Sequence, residues 1–504
     1  MAINWHGALE LAASLRRLKE GKVSLGQLLE IADIPIEFQD DGIKRLLDHS
    51  IKQVSFAGKR LMSGSLAFGL FDETPRLMKK AVEKGAVAVV VKEKINGIPC
   101  IVVDDPTNVY AKMCAFFRDK RPDIGTTAVI GSIGKTTVKN MVTAVYQEGF
   151  TTLTEPINEN KPDIVGFTAQ HLSHRVEKWV QEVAESILGS TRSMSLILKP
   201  EVAIITAMDN SHMGKLVSRE AVLEETCGIA EYLSPKGIVI VDKNDFPAME
   251  LLQGKNITTI SMQDNSADYY AQNVSIKKDG LYFDVIEKNS GASTPIHLNN
   301  IFAKHNVINA LYAFAAGVHV GLSSSAIAKG LKNYRTTGYR NNVYTSIDGK
   351  DIIYADCYNS IARSVRSAID TASMIPIEGD CHRIAVIGDV QELGDSALEE
   401  HLKILEIINE SRFDILYLFG ENLHKAASQF VFRSDLKVKL VDSHSQIVMD
   451  LAPYRSRGNL FLFKSSHSGH LEECIKMLWP KEFRKRDREE DWLKMKWKLM
   501  IMTP

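Results

Sequence analysis

The sequence predicts an α/β protein of three domains: a small α/β N-terminal domain, a central parallel sheet of the P-loop ATPase type, and a C-terminal Rossmann-like domain. Three observations carry this. At 504 residues the chain is longer than one hydrophobic core supports. From Thr126 onward, Val/Ile-rich runs of strand length alternate with helical patterns, as in a parallel sheet covered by helices. That rhythm breaks once and starts again after Tyr339, as two successive sheets would make it do.

Taken in order, "MAINWHGALELAASLRRLKEGK" reads as an amphipathic helix and lacks the apolar stretch of a signal peptide. "LMKKAVEKGAVAVVVKEK" is a helix followed by a buried strand, "IPCIVVDD" is the next strand, and polar "DKRPDIG" is a linker. The N-terminal domain is therefore placed at residues 1–122. The central domain, 123–338, holds "TTAVIGS", "KTTVKNMVTAVYQEG", "VEKWVQEVAES", "PEVAIITAM", a helix over "REAVLEETCGIAEYL", and "GIVIVDKND". In "SADYYAQNVSIKKDGLYFDVIEKNSGASTPIHL" the alternation and the Lys-Asp-Gly turn predict an antiparallel excursion. The apolar helix "KHNVINALYAFAAGVHVG" then closes the domain. Strands "DIIYADCYN", "HRIAVIGDV", "FDILYLFGE", "LKVKLVDS" and "NLFLFKSS" build the C-terminal domain, 339–480. The tail, 481–504, is charged and then aromatic. It is expected to dock as a helix on its own chain or a partner, with Trp492, Trp497 and Met500 as its apolar face.

Composition excludes several classes. A net charge of −1 gives no field that would draw nucleic acid or an acidic membrane. The longest apolar runs are strand-sized, so no membrane span is expected. The six cysteines are scattered, with no CxxC pair and no His cluster at zinc spacing. They read as free buried thiols in a cytoplasmic protein.

The chemistry starts at "VIGSIGKTTVKN". A phosphate cradle needs backbone N–H groups at a helix N-terminus and side chains small enough to admit an anion. Gly131, Ser132 and Gly134 give the room, Lys135 the charge, and Thr136 and Thr137 the hydroxyls, Thr136 being suited to Mg²⁺. Val129 stands where the longer Walker pattern has its first glycine, so this is a shorter form. The bland alternative is a glycine-rich strand-to-helix turn. Glu182 and His212 follow apolar strands of the same domain, at the sheet edge that would face the loop. Both are candidate Mg²⁺ ligands, and either alone also suits an ordinary loop residue.

These motifs resemble the Mur ligases, ATP-dependent amide-forming enzymes of cell-wall synthesis. "GSIGKTT" is similar to that family's phosphate loop, and "QEVAES" with "KPEVAIITAMDNSHMG" to its Glu-strand and His segments. "AKHNVINALYAFAAG" resembles its His-Asn-x-x-Asn-Ala helix. "YADCYNSIARSVRSAID" and "RIAVIGDVQELGDSALEEH" resemble segments of the members that add D-alanyl-D-alanine. The likeness runs from about residue 50 to 475. It implies that ATP phosphorylates a substrate carboxylate, that an amino acid or dipeptide amine attacks the acyl phosphate, and that ADP and phosphate leave. It further implies that Lys135 holds the terminal phosphates, Thr136 and Glu182 one Mg²⁺, and His212 a second metal. Asn306, Asn309, Arg340 and Asp356 would serve the nucleotide, and Asn158, Asn160, Tyr358, Asn359, Ser364 and Lys464 the substrates.

The chain departs from the family pattern in its acceptor half. Thr226 falls where several members carry a carbamylated lysine, and Lys161 interrupts the family's Asn-x-Asn-Asn. "VSFAGKRLMSGSLAFGLFDETPRL" lacks the uridine-gripping Asp-Ser-Arg, and "KSSH" replaces Lys-Gly-Ser-Arg. In the peptide segment Asn-Pro becomes Ile361-Ala362. Two alternatives therefore stand beside a UDP-muramoyl peptide ligase. One is the same chemistry on another carboxylate, from a peptide, polymer or secondary metabolite; the other is a catalytically silent nucleotide-binding scaffold.

Overall fold

A computed structural model describes residues 23–481 apart from 38, 59–60, 70–73, 156–159, 185–188, 208–218, 245, 278, 337–338, 340, 358–359, 361, 392 and 394–395. The described chain forms two compact units. One takes in the chain up to Ser261 with Tyr312–Leu322; the other takes in Met262–Leu311 and the chain from Ser323.

After the short antiparallel pair Val23–Ser24 with Ser50–Ile51 and the helices Leu25–Ile31 and Asp41–Lys44, the first unit has four parallel strands in sequential order, β1 (Gln53–Phe56), β2 (Ser65–Phe68), β3 (Ala88–Val91) and β4 (Cys100–Val102). All four residues of β3 are buried, which is why "AVVV" carries no polar alternation. Helix α1 (Pro75–Glu83) starts on proline, whose missing N–H costs nothing at a first helical position. It packs Met78 and Ala81 against Val89, Val91 and Cys100.

Helix α2 (Pro106–Asp119) joins this sheet to the next. Its Tyr110 ring meets Phe56 and Phe68 edge-on, at centroid distances of 4.8 and 5.3 Å. The segment expected to be a linker is tied down: Arg121 reaches Asp123 at 2.6 Å and the Val176 carbonyl at 2.9 Å.

Six parallel strands follow: β5 (Gly125–Ile130), β6 (Thr152–Thr154), β7 (Lys178–Glu182), β8 (Val202–Ile205), β9 (Ile238–Asp242) and β10 (Ile257–Ser261). Their spatial order is β10-β9-β8-β5-β7-β6, so β5 is central and its carboxyl end lies between β8 and β7. The helices of this series include α3 (Lys135–Tyr146), α4 (Pro162–Gln170), α5 (Ser190–Leu198) and α6 (Arg219–Cys227). The Gln170 amide of α4 hydrogen-bonds both the N–H and the carbonyl of Val54, each at 2.8 Å. The N-terminal strands and the parallel sheet thus share one hydrophobic cluster.

In the second unit, the expected antiparallel excursion is present as β11 (Tyr269–Lys277), β12 (Gly280–Glu287) and β13 (Ser293–Asn299). Helix α7 (Asn306–His319) follows it in the chain; its residues up to Leu311 belong to this unit and those from Tyr312 to the first. The C-terminal sheet contains β14 (Asn342–Thr345), β15 (Ile352–Asp356), β16 (Arg383–Gly388), β17 (Ile415–Phe419), β18 (Lys437–Val441) and β19 (Leu460–Lys464). Their order is β14-β15-β19-β16-β17-β18, parallel except for the β14 edge.

Successive residues of a strand point to opposite faces. Leu460 and Leu462 accordingly pack with Val365 of α8 (Ala362–Met374) and Leu405 of α9 (Ala397–Asn409). Phe461 and Phe463 pack with Ile447 of α10 (His444–Leu451) and Ile475 of α11 (Leu471–Leu478). Helices on both faces make this the doubly wound layout the sequence predicts. Five of the six cysteines are buried, and Cys381 is half-buried.

Among the described residues no helix is long and apolar enough to cross a membrane. The amphipathic helix expected within 1–22 and the tail from residue 482 lie outside the described residues.

Candidate active site

The phosphate-loop candidate leaves the end of central strand β5 and enters α3. Gly131 has φ +123°, and a Cβ there would lie 2.4 Å from Thr206 Oγ1 and 2.6 Å from its carbonyl oxygen. Gly134 caps α3 at φ +89°, in the left-handed region that glycine enters without cost. Both glycines are thus required by the turn itself. The N–H groups of Ser132 and Ile133 both donate to the Ala207 carbonyl, at 3.1 and 3.2 Å. An anion at this place would meet the first turn of α3, where a helix offers N–H groups that no intrahelical carbonyl reaches. Lys135 folds its ammonium onto the Gly131 carbonyl, directly over the loop.

Glu182 ends β7 and pairs in register with Val129 of β5. Its carboxylate is held from two sides. Thr136 Oγ1 donates to Oε2 at 2.8 Å, and Asn160 Nδ2 donates to Oε1 at 3.0 Å. Asn160, which the resemblance gives to the substrate, here donates to the Glu182 carboxylate and orients it. Thr136 and Glu182 therefore converge as hard oxygen donors beside the loop, a set that fits Mg²⁺. Ser132 and Thr137 are half-buried in the same loop and first turn.

Behind this lies a buried pair that sequence reading missed. Lys139, one turn beyond Lys135, and Glu155 are both buried, with Lys139 Nζ 3.3 Å from Glu155 Oε1. Glu155 Oε1 accepts the Glu182 N–H at 3.0 Å, so the pair fixes the backbone carrying the site carboxylate. Burial pushes the Glu155 carboxyl up to about 8, against the pull of Lys139 and with Glu182 adding to the rise. The available signals were a lysine inside the apolar face of α3 and an acid at the end of β6.

Thr226 is fully buried, and its hydroxyl donates to the Val222 carbonyl one turn back, at 2.8 Å. It occupies helix interior as an ordinary threonine. The neighbouring Glu225 carboxylate accepts the N–H groups of Gly189 at 2.6 Å and Thr191 at 2.7 Å, capping α5.

In the second unit Asn306 and Asn309 are buried on α7. Asn309 Nδ2 donates to Asn306 Oδ1 and Asn306 Nδ2 to the Ala303 carbonyl, both at 3.2 Å. Asp356 and Lys464 are opposite each other on β15 and β19, and their buried charges lie 3.1 Å apart. Asp356 also accepts the Asn341 N–H at 3.1 Å. Ser364 is half-buried on α8. His212, Asn158, Arg340, Tyr358 and Asn359 lie outside the described residues.

Residues 129–317 match the Mur ligase middle domain, and residues 340–467 match the Mur ligase glutamate ligase domain. Among curated relatives, the UDP-N-acetylmuramoyl-tripeptide–D-alanyl-D-alanine ligase of Bacillus subtilis is 28% identical over 413 residues, covering 80% of this chain and 86% of that one. The Escherichia coli enzyme of the same name is 24% identical over 471 residues, covering 90% and 98%. Among solved structures, MurF from Acinetobacter baumannii superimposes with a TM-score of 0.71 at 22% identity, covering 92% and 99% of the two chains. MurF ligase from Thermotoga maritima, solved in complex with ADP, gives 0.67 at 19%, covering 86% and 98%. These two structural likenesses speak for the fold.

Proposed function

The chain belongs to the Mur ligase family, and from that membership we propose that it adds a D-alanyl-D-alanine dipeptide to the free carboxylate of a UDP-muramoyl tripeptide in cytoplasmic peptidoglycan synthesis. The reaction is ATP-dependent amide formation. The observation that carries the reading is the joint placement of Lys135, Thr136, Glu182 and Asn160 around one loop.

The chemistry needs those groups. A carboxylate and a triphosphate repel each other, and phosphoryl transfer is chiefly positioning with charge neutralisation. The helix N-terminus and Lys135 take the charge of the terminal phosphates, with Lys135 leaving the Gly131 carbonyl for them. Thr136 and Glu182 would hold Mg²⁺, which supplies cationic charge between the nucleotide and the acid; His212 is assigned a second metal on resemblance alone. Asn160 keeps the Glu182 carboxylate turned toward Thr136, and the Lys139–Glu155 pair keeps its backbone in place. Asn306, Asn309, Arg340 and Asp356 are assigned to the nucleotide, and Asn158, Asn160, Tyr358, Asn359, Ser364 and Lys464 to the substrates, by the same resemblance. Excluding water from the acyl phosphate lets the amine, rather than hydrolysis, consume it.

A second reading, the same ligation on another carboxylate, is favoured by Thr226 and by the Ser465 and His467 that depart from the family's acceptor half. ADP release measured with UDP-muramoyl tripeptide and D-alanyl-D-alanine separates the two. Release that requires both supports the first. Release only with other carboxylates selects the second.

A further inference from the structure

The connection between β19 and α11 holds a group of side chains to which the ligation chemistry above assigns no step. His467, His470 and Glu472 present one ligand atom each, and all of these lie within 4.8 Å of one another. The two histidines are exposed, and their ring centroids are 5.4 Å apart at an interplanar angle of 63°. Glu472 is only 6% exposed. Its Oε1 lies 3.3 Å from His470 Nδ1.

A second, independent observation concerns the other carboxylate oxygen. Glu472 Oε2 is buried with no hydrogen-bond partner. A buried acceptor left unsatisfied costs roughly 1–3 kcal/mol, and more when charged. An acid in the first turn of a helix is ordinary, since the helix dipole favours it there. That preference explains Glu472 at the start of α11. It does not explain a carboxylate drawn inward, without a donor, beside two imidazoles.

The stretch is also held in shape. His470 sits at φ +46°, in the left-handed region that non-glycine residues seldom occupy. Ser466 Oγ donates to the Asp389 carbonyl at 3.1 Å, and His444 Nε2 lies 2.9 Å from the Gly469 carbonyl oxygen. The nearby Cys474 is not a candidate ligand, because burial pushes its thiol up to about 12.

We propose that His467, His470 and Glu472 form a binding site for a divalent transition metal of the Zn²⁺ class, with one coordination position open to water or a small anionic ligand. Two imidazole nitrogens and one carboxylate oxygen are the donor set of open zinc sites, and imidazole selects against Mg²⁺ and Ca²⁺. The metal supplies the partner that Glu472 Oε2 lacks and pins the loop that follows Lys464. Spacing alone hides the site: a lone His-x-x-His without a second pair carries no zinc signature, and only the fold brings Glu472 in beneath it. The site is independent of the ligase reading, and either can fail without the other.

The test uses the full chain stripped with a chelator and titrated with Zn²⁺ by calorimetry, and with Co²⁺ by visible absorption. Excess Mg²⁺ is present throughout to fill the oxygen-lined sites. One ion per chain at micromolar or tighter affinity is expected, with His467→Ala and His470→Ala each weakening it at least about tenfold. The double variant is expected to abolish it, and His382→Ala to change nothing. Glu472→Gln is expected to weaken binding similarly; should that buried change unfold the protein, the exposed histidine variants decide. Undiminished stoichiometry and affinity in the double histidine variant, or no binding by the parent chain at micromolar Zn²⁺, overturns the site.

Discussion

Thr136 and Glu182 are 46 residues apart in the chain and meet at 2.8 Å, hydroxyl to carboxylate, where the first turn of α3 passes the carboxyl end of β7. Their union follows from the β5–β7 register. It places one hard-oxygen pair beside the stretch of the sequence that reads as a phosphate loop. Glu182→Gln keeps the size and an acceptor for Asn160 but removes the charge. ADP release is expected to fall at least about a hundredfold, with the fold intact by circular dichroism. The Mg²⁺ concentration needed for half-maximal rate is expected to rise. Unchanged Mg²⁺ dependence would remove Glu182 from the metal.

Gly131→Ala tests the loop itself. The new methyl would meet Thr206 at 2.4 Å, and the φ of +123° is strained for alanine. A local cost of about 1–3 kcal/mol is expected, together with loss of ATP binding measured by calorimetry. Wild-type ATP affinity in this variant would show that the turn is not the phosphate cradle.

The Glu155 carboxyl gives a pH dependence with a definite sign. Its pKa is raised in the folded state to about 8, by burial, from an ordinary 4.5 in the unfolded chain. The folded protein therefore binds more protons between those values. The stability this group contributes is fully present below about pH 4.5, declines as pH rises, and is lost by about pH 8. Urea unfolding of the parent chain and Glu155→Gln at pH 6 and pH 9 is the check, and the variant is expected to show the smaller difference between the two.

The pair Lys464–Asp356 makes a different prediction, because both charges are buried and 3.1 Å apart. Lys464→Met leaves a buried carboxylate unpaired, at a cost of about 3–5 kcal/mol. Adding Asp356→Asn removes the orphaned charge and is expected to recover part of that loss. Equal denaturation midpoints for single and double variants would show that the charges do not interact.

Much of this was legible because it lives in local pattern. Continuous apolar runs such as "AVVV" and "VAII" announced strands buried on both faces, and the Lys-Asp-Gly turn marked the antiparallel meander. Gly131 and Gly134 could be placed because the turn demands glycine twice. What the sequence withheld lies in partnerships set by strand order. Asn160 reads as part of an asparagine motif, yet its partner is Glu182. Lys139 reads as one more charge on a helix, yet it is buried against Glu155, itself invisible until β6 and β7 are adjacent. Glu472 looks like a first-turn acid until its burial beneath His470 is seen.

The most direct test of the central claim is ADP release by the parent chain and Lys135→Ala, each with Mg·ATP, UDP-muramoyl tripeptide and D-alanyl-D-alanine. The account predicts one ADP per amide formed by the parent chain, and a loss of about a thousandfold or more in a folded Lys135→Ala protein. Equal turnover by the two proteins would contradict it.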